Sequence, residues 1–287
     1  MTKRRLLITG AGGVIASRII PDLQNIYDLK LTDISPINVH GQTMESVEIA
    51  DLLDDNRDHY RALFSGVDTV IHSAFVRGRS GEDPFWAELA NVRMAYNVYQ
   101  VCAEENIRRV VMISSNHAGD YYENLIQKGL LLSVTPDMPP YSDNYYGWAK
   151  ISYEALGFVF ATGKMNDGKK LPNVQIRIGA PRETDIESCQ AGDLVKMHRD
   201  LGAYLSLADE VQLIAKSIET MNIEDENGIP FQIFYGISNN SHNFWDISNA
   251  RRVIGYDPQD NSSIRFTDQV ARITQSSKPC PIQRRSL

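Results

Sequence analysis

The sequence predicts an α/β fold in which helices cover both faces of a parallel β-sheet. Short apolar runs alternate with segments of helical periodicity along most of the chain. These runs are continuous, as is typical of parallel strands that are buried on both faces. The first run leads through a glycine-rich turn into a helix. Together these observations indicate a Rossmann-type, doubly wound parallel sheet, which we expect to carry a small C-terminal substrate-binding lobe.

The composition limits the domain organisation and the kinds of partner. The chain has 287 residues, 43% of them hydrophobic, which is enough for one large α/β domain. We expect a single domain over residues 1–287, in which 1–178 form mainly the cofactor-binding core and 179–287 mainly the substrate-binding part. The net charge of −7 does not favour a nucleic-acid partner.

Hydropathy and cysteine usage bear on the compartment. No apolar stretch approaches the ~18 residues that cross a membrane. Cys102, Cys189 and Cys280 are odd in number and far apart, which suits a reducing compartment and indicates neither a disulfide framework nor a zinc site. We therefore expect a cytoplasmic protein with no membrane partner and no metal.

The first predicted unit, Arg5 to Asp33, runs from strand through glycine-rich turn and helix to a second strand. Gly10 can leave the strand with dihedral angles that other residues avoid, and Gly13 lets backbone N–H groups approach a pyrophosphate. The helix that begins near Val14 directs its positive end at the same phosphates. Asp33 follows the turn by about 20 residues, where a carboxylate can accept both ribose hydroxyls and would repel a 2′-phosphate. The unit therefore predicts binding of NAD in preference to NADP.

The rest of the chain repeats the alternation of strands and helices. Further strands are predicted at 47–53, 67–74, 110–115, 174–178 and 231–235, and helices at 86–106, 144–161, 207–221 and 246–254. Ser206 is a candidate N-cap for the third of these helices, and Gly255 stops the fourth. The stretches 116–143 and 179–206 show little periodicity, so we interpret them as functional segments over the carboxyl edge of the sheet.

Two strand ends are candidates for cofactor contacts. Asp51 lies at the end of the third predicted strand, where it can hydrogen-bond an adenine amino group. Capping of a helix over 54–64 is an equal alternative, and one residue can serve both roles. Ser73 and Ala74 end the fourth strand and are small enough to leave room for a cofactor.

A tyrosine and a lysine form the candidate catalytic pair. Tyr146 and Lys150 are four residues apart on one predicted helix, and Ser115 ends the preceding strand at the same edge of the sheet. A lysine ammonium and a positive nicotinamide ring can stabilise the tyrosine phenolate, which at neutral pH takes roughly 4 kcal/mol. The tyrosinate then removes the proton of a substrate hydroxyl while hydride leaves for the nicotinamide. The alternative, a surface Tyr–Lys pair on a helix, does not account for the glycine-rich unit that precedes it.

With these motifs the chain resembles the extended short-chain dehydrogenase/reductases, also described as the NAD-dependent epimerase/dehydratase family. The resemblance implies an NAD-dependent oxidoreductase with Ser115, Tyr146 and Lys150 as catalytic residues. It also implies that Asn91 holds a water in a proton relay towards the lysine. The implied cofactor-binding residues are Gly10, Gly13, Val14, Ile15, Asp33, Ile34, Asp51, Leu52, Ser73, Ala74, Asn91, Tyr146, Lys150 and Ile178.

Within that family the chain most resembles the uronate dehydrogenases. The stretches that carry this resemblance are 114–117 with 121–122, 176–179, Arg199 seven residues before Ser206, and 244–260. The resemblance implies that Tyr146 deprotonates the anomeric hydroxyl of a cyclic hexuronate such as glucuronate or galacturonate. The C1 hydride then passes to NAD⁺ and leaves an aldarolactone. Asn116 and His117 would hydrogen-bond sugar hydroxyls, and Arg199 would clamp the carboxylate.

The sequence departs from that subgroup at two substrate-contacting serines. Arg77 replaces the first, after the fourth strand, and Ala180 replaces the second, after the sixth. Arg77 is either a new anion contact in the substrate site or a solvated loop charge. An NAD-dependent sugar or nucleotide-sugar epimerase or dehydratase is the alternative function. A non-catalytic NAD sensor would lack the Tyr–Lys pair. By analogy with relatives we expect a homo-oligomer.

Overall fold

In the computed structural model, which describes residues 3–275, seven strands form one parallel sheet. The strands are β1 (Arg5–Thr9), β2 (Asp28–Asp33), β3 (Val47–Ile49), β4 (Thr69–His72), β5 (Arg109–Ser115), β6 (Asn173–Ile178) and β7 (Phe231–Gly236). Their order is β3-β2-β1-β4-β5-β6-β7. The order reverses between β1 and β4, which is where open α/β sheets bind their ligands. The predicted fold class is confirmed.

Helices lie on both faces of the sheet. In the described residues they are α1 (Val14–Ile26), α2 (Asp58–Arg61), α3 (Pro84–Glu104), α4 (Asp120–Gln127), α5 (Tyr145–Thr162), α6 (Thr184–Glu187), α7 (Leu194–Ala203), α8 (Leu207–Glu219), α9 (Ser248–Ile254), α10 (Ser262–Arg265) and α11 (Thr267–Thr274). On one face α1 and α8 pack on the side chains of Leu6 and Ile8. On the other face α3 and α5 pack on Leu7 and Val70. Neighbouring residues of β1 thus point into two separate cores, as the continuous apolar run predicts.

The pairing register of the strands brings their carboxyl ends together. Thr9 pairs with both Thr32 and His72, and Ser115 pairs with Ile178. The carboxyl ends of β1, β2, β4, β5 and β6 therefore meet at one edge of the sheet. Every predicted catalytic or cofactor residue that follows a strand lies at this edge.

Capping residues fix where the helices begin and end. The Ser206 hydroxyl accepts a hydrogen bond from the Asp209 N–H, so the predicted N-cap of α8 is confirmed. Asn144 caps α5 in the same way through the Gly147 N–H. Gly255 ends α9 with a left-handed φ of 65°, as predicted.

The structure corrects three predictions about local structure. Residues 116–143 are not irregular throughout, because a 3₁₀ turn (Asn116–Gly119) leads directly into α4. Residues 179–206 contain α6 and α7. The helix proposed over 54–64 is limited to the single turn of α2. Helices this short contain too few apolar repeats for their periodicity to be read from sequence.

Three further observations concern the described chain as a whole. Although β7 follows residue 178, it completes the same sheet, and the division of the chain at that residue stays a prediction. Between residues 3 and 275 no helix combines the length and the apolarity needed to cross a membrane. Cys102 and Cys189 are buried free thiols, whereas Cys280 lies outside the described residues.

Candidate active site

A cleft of about 530 Å³ opens at the carboxyl edge of the sheet, around the switch point between β1 and β4. Apart from Asn91, every residue predicted to bind the cofactor lines this cleft. Ser115, His117 and Arg77, predicted to contact the substrate, also line it. The structure thus brings into one cavity residues that the sequence separates by more than a hundred positions.

The glycine-rich turn forms the floor of the cleft. Gly10 has a φ of 70°, and a Cβ atom there would overlap with the main chain of Ala74. Gly13 is the N-cap of α1 and, as a glycine, has no side chain that could accept a hydrogen bond from the first N–H groups of the helix. The first N–H groups of α1 are therefore free to receive an anion. These features fit the pyrophosphate of NAD.

Asp33 connects this turn to the end of β2. Its Oδ2 accepts a hydrogen bond from the Gly12 N–H at 2.9 Å, and its Oδ1 accepts one from the Ser35 N–H at 3.2 Å. A Cβ atom on Gly12 would lie 3.3 Å from the same Oδ2 and 3.0 Å from the Met44 methyl group. A side chain at Gly12 would therefore crowd the Asp33 carboxylate and the end of the Met44 side chain, and sequence reasoning missed this close approach. Asp33 lies where a ribose would be bound, next to Ile34 in the lining of the cleft.

A loop over residues 34–46 forms a further wall of the cleft. The Val39 N–H donates to the Gly12 carbonyl at 2.9 Å, which holds the loop over the turn. Ile37, Asn38 and Val39 line the cleft, yet no motif in the sequence marks them. Asp51 lines the cleft from the end of β3, and its Oδ1 accepts the Leu53 N–H at 2.9 Å. That hydrogen bond caps a local turn and leaves Oδ2 for an adenine.

The Tyr146 ring lies between two other rings. The centroids of Phe75 and His117 are 5.5 Å and 5.4 Å from that of Tyr146, and both rings meet it edge to face. Gly147 lets α5 approach this closely, since a Cβ atom there would overlap with the His117 carbonyl. The orientation of the phenol is therefore fixed by packing. Sequence reasoning missed both Phe75 and Gly147.

Lys150 lies beneath the phenol and is buried. Its Nζ donates to the Ile113 carbonyl at 3.1 Å and is 5.4 Å from the centroid of the Tyr146 ring. Burial lowers the pKa of Lys150 to about 8, although the carboxylates of Glu88 and Glu154 act in the opposite direction. The lysine can therefore lose its proton within an ordinary assay range.

Burial raises the pKa of Tyr146 above its ordinary value, and the Ser115 hydroxyl offsets this only in part. The predicted lowering of this pKa depends on a nicotinamide ring beside the phenol as well as on Lys150, and it stays a prediction.

Asn91 lies inside α3 and is fully buried. Its Oδ1 accepts the Val76 N–H at 2.8 Å, and its Nδ2 donates to the Val76 carbonyl at 2.9 Å. Asn91 is not among the described residues that line the cleft. These contacts hold the loop after β4 against α3, and the predicted water relay stays a prediction.

A second cavity of about 500 Å³, here called the polar pocket, adjoins the cleft. Within the described residues it is lined by five carboxylates and three cations: Asp120, Glu123, Asp143, Asp185, Asp200, Arg182, Lys196 and Arg199. His117 and Arg182 line both cavities and so form the boundary between them.

His117 and Asn116 follow β5 in the 3₁₀ turn. The His117 Nδ1 is 2.6 Å from Asp120 Oδ2, and the same oxygen accepts from Asn144 Nδ2 at 2.7 Å. Asp120 therefore fixes the imidazole, and its spacing of three residues from His117 was the signal that could have revealed it. Asn116 is buried, and its Nδ2 makes no hydrogen bond to residues 3–275.

Arg199 lies in the polar pocket but is already paired. Its Nε is 3.4 Å from Glu123 Oε1, and its Nη1 is 3.6 Å from Asp200 Oδ1. Arg77 lines the cleft from an exposed loop. In the described part of the chain, no group of three His, Cys, Asp or Glu side chains could hold a metal ion.

Comparison with known proteins agrees with this geometry. A model of the NAD dependent epimerase/dehydratase family matches residues 6–162. Uronate dehydrogenase of Pseudomonas putida is 30% identical over 96% of this chain and 90% of its own length. NAD-dependent glucose-6-phosphate dehydrogenase of Haloferax volcanii is 28% identical over 90% of this chain and 94% of its own length.

Solved structures give the same picture. The crystal structure of uronate dehydrogenase from Agrobacterium tumefaciens has a TM-score of 0.72 and 26% identity, covering 98% of this chain and 93% of that one. The predicted resemblance, an NAD-dependent enzyme similar to uronate dehydrogenases, is confirmed, and so is NAD as the cofactor of the family. The chain belongs to the NAD dependent epimerase/dehydratase family, the extended short-chain dehydrogenase/reductases.

Proposed function

We propose that this protein oxidises a hexuronate, such as glucuronate or galacturonate, at C1 to the aldarolactone, with NAD⁺ as the hydride acceptor. The observation that carries the proposal is the position of Tyr146, which lies above Lys150 and close to the boundary between the cofactor cleft and the polar pocket. The similarity to uronate dehydrogenases extends over nearly the whole chain.

The chain would hold the cofactor mainly through its main chain. The turn at Gly10 to Ile15 and the first N–H groups of α1 would bind the pyrophosphate. Asp33 would accept the ribose hydroxyls, and Asp51 would accept the adenine amino group. Bound NAD⁺ would supply the hydride-accepting ring together with its positive charge.

Tyr146 would remove the proton of the substrate hydroxyl. Burial raises the pKa of its phenol, and the ammonium of Lys150 lies close enough to the ring to favour the phenolate. Ser115, at the end of β5, would hold the substrate oxygen by a hydrogen bond. The Tyr146 oxygen then takes the proton of the anomeric hydroxyl as C1 gives up its hydride.

The turn after β5 would bind the hydroxyl groups of the sugar. Since Asp120 engages Nδ1 of His117, the other ring nitrogen is left for a sugar hydroxyl. Asn116, with its buried unpaired Nδ2, offers a further donor. Arg199 is the predicted ligand of the carboxylate, and Arg77 a second candidate. The expected homo-oligomer and the cytoplasmic location stay predictions.

The proposal is tested by Tyr146→Phe, which removes one oxygen. We expect kcat for hexuronates to fall by roughly 1,000-fold or more, because the base is gone, while the Kd for NAD⁺ stays within about twofold. NADH absorbance with a panel of uronates and aldoses is the measurement. Tyr145→Phe is the matched control, since Tyr145 is exposed and packs on Phe85 outside both cavities.

Two outcomes would contradict the proposal. One is undiminished turnover in Tyr146→Phe. The other is the formation of an epimer or a dehydrated sugar without net NADH, which would favour the epimerase or dehydratase alternative.

A further inference from the structure

Lys150 is a buried cation with few polar contacts. Only 5% of the residue is exposed. An ammonium has three N–H donors, but in the described part of the chain the Nζ of Lys150 makes a single hydrogen bond, to the Ile113 carbonyl at 3.1 Å. A buried charge with so few partners is costly unless other groups stabilise it. The surroundings of Nζ therefore decide whether the lysine keeps its proton.

The charged and titratable groups around Lys150, apart from two tyrosines, come from α3, α5 and β4. Glu88 on α3 and Glu154 on α5 both act to raise the pKa of the lysine. The Glu154 carboxylate, however, is already paired with Arg177 at 2.7 Å. His72 on β4 is buried, and burial lowers its pKa to about 3, so its ring is uncharged at neutral pH. Glu88 is thus the one unpaired carboxylate among these groups.

Three aromatic rings lie around the ammonium. The Nζ of Lys150 is over the rings of Tyr153, Tyr146 and Phe75, at 4.5 Å, 5.4 Å and 5.5 Å from their centroids. A ring face attracts a cation within roughly 6 Å, and the attraction is stronger where water is excluded. Tyr153 is buried, whereas Phe75 is 38% exposed and lines the cleft. The rings therefore supply the negative potential that hydrogen bonds supply only in part.

We propose that Phe75, Tyr146 and Tyr153 form an aromatic cage that keeps Lys150 protonated at the pH of catalysis. Because Tyr146 is one of the three rings, the cage holds the ammonium against the phenol whose ionised form it would stabilise. Phe75 and Tyr153 act through Lys150 and are therefore positioning residues. This inference deepens the proposed function, since it concerns the same phenol, but the protonation of Lys150 can be measured without any substrate.

The test is an NMR titration of Lys150 in protein labelled with ¹³C-lysine, in which the signal is identified by its absence from Lys150→Arg. Phe75→Leu keeps an apolar side chain but removes the ring, so we expect it to lower the midpoint of the titration by about 0.5 to 1 pH unit. Phe75→Tyr keeps the ring and should stay within about 0.2 pH units of the wild type. The pH at which kcat for hexuronates declines should shift in the same way.

Two further variants separate the ring from its packing. Tyr153→Phe keeps the ring and removes an Oη that makes no hydrogen bond to residues 3–275, so the midpoint should stay unchanged. Phe85→Leu is the matched control. Phe85 stacks on Trp148 of α5 at 5.4 Å between centroids, and it is not one of the rings that Lys150 lies over in the described chain. Its loss should move the midpoint by no more than about 0.2 pH units.

Three results would overturn the inference. The first is an unchanged or higher midpoint in Phe75→Leu, which would leave burial and carboxylates to set the protonation of Lys150. The second is an equal shift in Phe75→Leu and Phe75→Tyr, or in Phe75→Leu and Phe85→Leu. The third is a kcat in Phe75→Leu that falls by one factor at every pH, with no movement of the decline. A wild-type enzyme that oxidises no hexuronate would contradict the proposed function alone, since the NMR titration needs no turnover.

Discussion

The cofactor cleft and the polar pocket are built in different ways. In the cleft, the turn from Gly10 to Gly13 and the strand ends at Asp33 and Ala74 present main chain and small side chains to the ligand. In the polar pocket, charged side chains from separate helices meet in pairs, such as Glu123 with Arg199. The cleft is thus shaped mainly by the backbone, whereas the polar pocket is shaped by the pairing of charged side chains.

The core of the sheet contains both kinds of construction. The buried apolar residues of β1 and β4 include Leu6 and Val70. Glu154 on α5 and Arg177 on β6 form a buried ion pair at 2.7 Å, and Glu154 also accepts the Ser114 hydroxyl at 2.8 Å. This part of the core therefore depends on charge pairing for its stability.

Breaking that buried pair should give the largest effect on stability. Glu154→Ala leaves the Arg177 guanidinium buried without its carboxylate, so we expect the free energy of unfolding to fall by about 3–5 kcal/mol. Urea unfolding is the measurement. The control is Asp55→Ala, which removes an exposed pair with Arg93 and should cost less than about 1 kcal/mol. Equal losses in the two variants would show that the buried pair contributes no more to stability than an exposed one.

A methyl group in the glycine-rich turn tests whether the shape of the backbone there determines cofactor binding. Gly10→Ala must both hold a left-handed φ of 70° and overlap with the main chain of Ala74. We expect the Kd for NAD⁺ to rise by about 100-fold or more, which is about 2.7 kcal/mol. Gly66→Ala has nearly the same φ, 68°, but no described heavy atom within 4 Å of its Cβ, so it should show only local backbone strain of about 1–2 kcal/mol. Calorimetric titration separates the two, and unchanged NAD⁺ affinity in Gly10→Ala would contradict the role of the turn.

Asp33→Asn sharpens the comparison at the carboxylate that we propose for the choice of cofactor. The amide keeps the shape but loses the charge that would hold ribose hydroxyls and repel a 2′-phosphate. We expect a Kd for NAD⁺ about tenfold higher and a smaller preference for NAD⁺ over NADP⁺. Asp51→Asn is the matched control and should change the Kd by about threefold at most, since an amide oxygen still accepts a hydrogen bond. An unchanged NAD⁺ to NADP⁺ ratio in Asp33→Asn would remove this carboxylate from cofactor choice.

The pH dependence should give the smallest effect. Because burial lowers the pKa of Lys150 to about 8, the ammonium loses its proton as the pH rises through that value. We expect kcat for hexuronates to decline by roughly two- to fivefold over the next pH unit, since neutral lysine no longer favours the phenolate. Lys150→Arg stays charged in this range, so its slower turnover should lack the decline. The same decline in both enzymes would assign it to another group.

Prediction from sequence found residues that line the cleft where short-range patterns decide the geometry. The turn, the acid at Asp33 and the Tyr146–Lys150 pair each depend on neighbours within one unit of the fold. Gly147 was missed because its need for glycine comes from the His117 carbonyl, which is remote in sequence, and the close contact at Gly12 was missed because it comes from Met44. The pairing of Glu123 with Arg199 joins α4 to α7, and no spacing rule connects two helices across such a separation.

The crowding around Gly10 limits which substitutions can compensate for a side chain at this position. The atoms that exclude a side chain there are the Cα and N of Ala74 and the carbonyl carbon of Ser73, which belong to the main chain. Shrinking the side chain at position 74 therefore makes no room. A selection for suppressors of Gly10→Ala should return true revertants to glycine and no second-site changes at residues 73 or 74.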